Sequence, residues 1–187
     1  MVAPPDTFTP NEAAALAELP PQNVRKELEH EVMTTSTPPR LSFSELVYLR
    51  ALKLMDLHLS VSDRARLCAL ITEAVGQSPL PDAVELATHL TLHVGRLARD
   101  LQERVTSFHF WKENLIRDPD IMGGETVFPS SRLTVRHVGE MLERGESAGV
   151  ILEDYSYLTR QDLEFACTFV RAYPRVGRPK REHEAPH

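Results

Sequence analysis

Residues 9–29 read TPNEAAALAELPPQNVRKELE, and the Pro20-Pro21 pair near the middle decides how the chain begins to fold. Thr9 can cap a helix, Pro10 suits the first helical position, and Glu12 stands three residues after the cap, which together form a helix-start signal. A first helix is expected over residues 10–19. It must break at the proline pair, because proline cannot donate to the helical ladder and restricts the residue before it. Beyond the break, Val24, Leu28 and Val32 recur every fourth residue, predicting a second helix over 22–33 with one apolar side. Helix, tight break and second helix have the outline of a helix-turn-helix, whose second helix enters the major groove. Gln22, Asn23, Arg25 and Lys26 occupy the base-reading positions. Amide and guanidinium groups suit adenine and guanine edges, and both cations could hold phosphate instead. A packed helical hairpin carrying two surface cations fits the same spacing, and Glu27, Glu29 and Glu31 weigh towards it.

Downstream, TTSTPPR at 34–40 reads as a loop. Ser42 and Glu45 form a capping box for a third helix carrying Leu46, Leu49, Leu52 and Leu54. Ser62 or Asp63 is expected to cap a fourth, with Leu67, Leu70, Ile71 and Ala74 in one stripe and Gly76 at its end. Alternation over 86–94 predicts a strand that could serve as a wing. From 96 to 114, Leu97, Leu101, Val105 and Phe108 follow a helical period. Asp118-Pro119 and Gly123-Gly124 mark turns, the glycines allowing a tight turn that sets Ile121 and Val127 against the helices. Three helical patterns close the chain at 135–144, 147–154 and 159–173. The last has two apolar sides, Leu163, Ala166 and Val170 on one and Phe165 and Phe169 on the other. It is therefore either deeply buried or shared with another chain.

The 187 residues suffice for one sizeable core or two small ones. Hydrophobic residues at 42% and charged residues at 26% give an ordinary globular composition. No apolar run approaches the roughly 20 residues that a membrane helix needs, and no secretory signal pattern begins the chain, so a cytoplasmic protein without a membrane partner is expected. The net charge of −6 excludes a uniformly cationic nucleic-acid coat but leaves room for a local basic face. Cys68 and Cys167 lack metal-ligand spacing, and His89 and His93 have no Cys or carboxylate at ligand spacing. No cofactor is expected. Without a phosphate-cradling glycine loop or a nucleophile elbow, the reading is not an enzyme.

FTPNEAAALAELPPQNVRKELE, with LSFSELVYLRAL and LATHLTLHV after it, resembles the winged helix-turn-helix at the N-terminus of some VapB-type antitoxins. That resemblance implies DNA binding. In the second half, DP-x-I-x-GG at 118–124, R-x-TV at 132–135, RGES at 144–147 and DYxxLTRxD at 154–162 stand in the order of the domain-of-unknown-function family numbered four-three-three. This is a small helical, homeodomain-like domain frequent in antitoxins. One departure is visible: the family's Gly-Thr-Arg turn is replaced by Ser130 and Ser131 before Arg132, which puts a glycine-dependent backbone conformation in question.

The resemblance implies a mainly α chain with a winged helix-turn-helix over 7–94, a bridging helix over 95–114, a three-helix domain over 115–173 and a flexible basic tail over 174–187. Such antitoxins face ribonuclease toxins of the PIN type, whose carboxylate clusters an arginine fork matches bidentately. Arg175, Arg178, Lys180 and Arg181 are thus the expected toxin contacts. A tail that is merely solubilising, or that holds DNA phosphate, is the plain alternative. A homodimer is expected from the last helix, through Leu163, Phe165 and Phe169, and from the need of helix-turn-helix modules to grip two half-sites. The function implied is neutralisation of a cognate PIN-like toxin with repression at promoter DNA. The rivals are a stand-alone transcription regulator and a dimeric scaffold.

Overall fold

Helix α1, Pro10–Ala17, begins as its sequence dictates: the Thr9 amide donates to Glu12 Oε2 at 2.9 Å, and the Glu12 amide donates back to Thr9 Oγ1 at 3.2 Å. The computed structural model describes residues 7–33, 36–55, 57–87, 90–117, 120 and 122–175. α1 stops two residues earlier than periodicity predicts, because Glu18 turns left-handed and its amide returns to the Ala14 and Ala15 carbonyls. α2, Pro21–Glu29, starts on the second proline. It ends well before residue 33, since Glu31 is left-handed and the Val32 amide reaches back to the Glu27 carbonyl, a helix-closing pattern that buries Val32. The returning chain forms a two-hydrogen-bond bridge between Leu41 and Phe8, both at 2.8 Å, which fastens the loop after α2 to the start of α1.

α3, Phe43–Met55, is capped by the Ser42–Glu45 pair as its spacing requires. α4, Val61–Val75, is capped by Ser60 rather than Ser62 or Asp63, and Asp63 instead donates its amide to Ser60 Oγ at 3.1 Å. The alternating segment is not one strand. It doubles into an antiparallel hairpin, β1 Val84–Ala87 with β2 Leu90–Leu92, paired Val84 to Leu92 and Glu85 to Thr91. A lone strand would leave its backbone groups unpaired, and pairing within the run satisfies them. The hairpin packs on α4.

α5, Val94–Asn114, touches α1, α3, α4 and α8 and carries Leu97, Leu101, Val105 and Phe108 on its buried side. After a 3-10 turn at Met122–Gly124 come α6 Val135–Glu143, α7 Ala148–Asp154 and α8 Arg160–Ala172, each started by a side-chain cap from Thr134, Ser147 and Thr159. α6 and α8 approach closely at Gly139, where a Cβ would overlap the Ala166 carbonyl. α8 lies against α6 on one side and α1 on the other. A single apolar cluster therefore extends from Phe8 to Ala172. Among the described residues the fold is mainly helical, with eight α-helices and one two-stranded sheet, and no helix is long and apolar enough to cross a membrane.

Candidate nucleic-acid interface

α2 is held on a narrow stripe. Val24 is 0% exposed, Glu27 is 4% exposed, and Leu28 is half-buried. Gln22, Asn23, Arg25 and Lys26 are all exposed. At about 100° per residue, Gln22 and Lys26 lie opposite Val24, with Arg25 and Asn23 to either side. The four residues named by sequence thus share the exposed side of α2, two amides and two cations, with the exposed Glu29 among them. Neither Arg25 nor Lys26 has an acidic partner among the described ion pairs.

The buried side of α2 carries chemistry that apolar periodicity does not reveal. Glu27 Oε2 accepts from the Tyr48 hydroxyl of α3 at 2.7 Å, and Glu27 Oε1 accepts from Arg64 Nη1 of α4 at 2.7 Å. Tyr48 is wholly buried, and burial together with the Glu27 carboxylate pushes its phenol far above the ordinary value. Cys68, one turn beyond Arg64, is pushed up to about 11 by burial and by the nearby Glu45 and Glu27 charges, which disfavours its thiolate. By sequence alone Glu27 reads as a surface acid opposing phosphate. The signal against that reading is its position three residues after Val24 and one before Leu28, inside the apolar stripe.

A second buried carboxylate ties the two ends of the chain. Glu12 Oε1 accepts from Lys112 Nζ of α5 at 2.9 Å and from the Tyr173 hydroxyl beyond α8. Burial alone would raise its pKa, but these bonds and the Thr9 amide outweigh that and hold it at about 2. Lys112 also stands over the Phe108 and Tyr173 rings. Beside this knot, a 280 Å³ pocket is lined by Lys112, Arg117, Phe169 and Tyr173. A larger open cleft of 710 Å³ lies among α1, α5 and α8, and its wall includes Glu18, Asp100, Glu103 and Glu164 with Arg104 and Arg171. Acids outnumber cations on that wall, which disfavours phosphate there.

The residues expected at a dimer interface lie elsewhere. Leu163 is 3%, Phe165 4% and Phe169 7% exposed within one chain. Phe165 stacks on Trp111 at 5.8 Å and meets Phe108 at 5.9 Å, while Phe169 packs on Tyr173 at 5.0 Å. Both apolar sides of α8 are thus covered by α1, α5 and α6, and the expectation that these three side chains meet a second copy is withdrawn. Of the tail, Arg175 is described, exposed, and paired with Glu125 at 3.3 Å and Glu140 at 3.8 Å. Arg178, Lys180 and Arg181 lie outside the described residues, as do His89 and Ile121.

The turn before α6 keeps the conformation that its missing glycine placed in question. Ser130 adopts φ 58°, and the Ser131 amide donates to the Phe128 carbonyl at 3.2 Å. With Pro129 at the second position this is the type II pattern. Gly123 and Gly124 adopt φ 66° and 81° and precede the fully buried Val127.

Residues 116–170 match a family described as protein of unknown function (DUF433). The match spans the loop, α6, α7 and most of α8 and stops short of α1 to α5. No curated protein and no solved structure matches the chain.

Proposed function

We propose that the chain is the antitoxin of a type II toxin–antitoxin pair, binding promoter DNA through α2 as a homodimer and neutralising a PIN-like ribonuclease toxin through its basic tail. The observation that carries the DNA half is the outward face of α2, where Gln22, Asn23, Arg25 and Lys26 stand together on a helix fixed from behind. An amide reads adenine bidentately and a guanidinium reads guanine, so this small set suffices for several base pairs. Acidic charge lies on other faces as well as at Glu29, the Glu18, Asp100, Glu103 and Glu164 wall of the α1–α5–α8 cleft among them. The toxin half rests on the resemblance of the two halves of the chain to antitoxin modules and on the excess of Arg and Lys over acids after residue 173. A stand-alone transcription regulator is the second reading, favoured by the pairing of Arg175 within its own chain.

Two measurements test the proposal. Changing Arg25 and Lys26 together to alanine is expected to weaken binding to promoter DNA and to reduce the slope of log affinity against log salt by about 2, roughly 0.9 for each phosphate no longer neutralised. Unchanged affinity and slope would remove α2 as the reading helix. Native pulldown in high salt is expected to recover a small nuclease with an acidic active site; its absence leaves the regulator reading in place of the antitoxin.

A further inference from the structure

α2 is short, and one fully buried apolar side chain, Val24, is its main anchor. A nine-residue helix resting on so narrow a stripe can roll about its own axis while keeping most of its apolar packing. Roll is the coordinate that base reading cannot tolerate. Gln22 and Lys26 point away from the stripe, and turning the helix by even a fraction of the roughly 100° between neighbours would present different groups to the groove.

Glu27 supplies what Val24 does not. Its two carboxylate oxygens are held from two different helices, Oε2 by the Tyr48 hydroxyl of α3 and Oε1 by Arg64 of α4, each at 2.7 Å. Hydrogen bonds are directional where apolar contact is not, and two of them converging from separate elements define a rotation. Stability alone does not explain the arrangement. Burying a carboxylate and a guanidinium carries a desolvation cost that their attraction does little more than offset, and an apolar pair of similar volume would join the helices as well. The Arg64 Nε is also buried and meets no hydrogen-bond acceptor among the described residues, a further cost that a purely stabilising contact would have shed.

We infer that Glu27, Tyr48 and Arg64 form a positioning device that sets the roll of α2 and so determines which base sequence it reads. The inference rests on α2 being the DNA-reading helix, and it adds α4 to the elements on which specificity depends. Arg25 and Lys26 add charge attraction to the edges they read; the buried cluster supplies the register.

The test measures two affinities for the full chain. One probe is a labelled duplex carrying the sequence upstream of its own coding region, and the other is a scrambled duplex of equal composition. Tyr48→Phe removes only the hydroxyl and leaves the core volume intact, so it is the primary variant; Glu27→Ala and Glu27→Gln accompany it. In Tyr48→Phe and Glu27→Ala the ratio of the two affinities is expected to fall on the order of tenfold, about the worth of one base-edge contact. Binding to the scrambled duplex should stay the same. Glu27→Gln keeps one acceptor oxygen, which can take the Arg64 bond while its amide NH2 donates to the Tyr48 oxygen, and should recover part of the ratio. A ratio unchanged in Tyr48→Phe, or both affinities falling together in step with lost thermal stability, overturns the inference. The paired Arg25→Ala, Lys26→Ala variant separates this from failure of the parent reading: if it binds both duplexes as tightly as the original chain, the assignment of α2 falls, and the positioning role with it.

Discussion

Two glutamates on consecutive helices, Glu12 on α1 and Glu27 on α2, are buried alike, and each takes a tyrosine hydroxyl and a cation. Their surroundings differ. Glu12 also closes the capping box of its own helix and joins α1 to α5 through Lys112 and to the Tyr173 hydroxyl, whose ring packs on Phe108 and Phe169. Glu27 has no local backbone task and ties down a helix whose opposite face is open to solvent. One kind of buried carboxylate therefore does two jobs: in the closed region it completes a core, and in the open region it orients a surface. The mainly apolar α8 side should answer to stability measurements, and the α2 side to binding measurements.

The largest break in that contrast is expected at Phe165. Phe165→Ala empties the centre of the aromatic cluster and should cost about 3–5 kcal/mol in urea unfolding. Because the side chain is covered within the chain, the oligomeric state measured by sedimentation at equal fold should not change; dissociation of a dimer without loss of stability would restore Phe165 to an intersubunit role. Next comes the acid side of the closed region. Glu12 is held at about 2 against an ordinary 4.5, a depressed folded value, so its contribution is fully present above about pH 4.5 and is lost as pH falls towards 2. The integrated effect is on the order of 3 kcal/mol. Unfolding free energies measured from about pH 6 down to about pH 2.5 should therefore fall more steeply for the original chain than for Glu12→Gln. Parallel curves would mean that the carboxylate is not held by Lys112 and Tyr173 in solution.

The closed region is legible in the sequence through its caps: Thr9 with Glu12 and Thr159 with Asp162 mark helix starts that the structure keeps to the residue. Amphipathic stripes are legible as well, and so are Gln22, Asn23, Arg25 and Lys26 as an outward set. Partnership across the chain is not. The two apolar sides of α8 read as either deeply buried or shared with a second copy, because periodicity records that a side is apolar without recording what covers it. Glu27 reads as a surface acid because Tyr48 and Arg64, its partners, lie 21 and 37 residues away. The hairpin reads as a single strand for a related reason, since alternation continues through a turn.

The smallest expected effect sharpens the contrast from its backbone. Each region contains a residue other than glycine in a left-handed conformation: Glu31 at φ 54° closes α2, and Ser130 at φ 58° makes the turn before α6. An L side chain in that conformation costs about 1–2 kcal/mol, while glycine gives back about 0.5–1 kcal/mol through its freer unfolded chain. Ser130→Gly should therefore stabilise the protein by about 0.5 kcal/mol, read as a small upward shift in Tm. Ser131, whose hydroxyl donates to the Phe128 carbonyl at 3.1 Å and accepts from the Leu133 amide at 3.2 Å, remains to hold the turn. DNA binding should not respond, since the gain belongs to the α8 side. Glu31→Gly should give a similar stability gain, yet it acts on the residue that ends α2, whose Val32 amide closes on the Glu27 carbonyl. If both substitutions stabilise and only the one at 31 changes the ratio of specific to scrambled DNA affinity, the two regions divide stability from reading along the line drawn by their two buried glutamates. Should the change at 130 alter that ratio equally, the α8 side takes part in orienting α2 and the division does not hold.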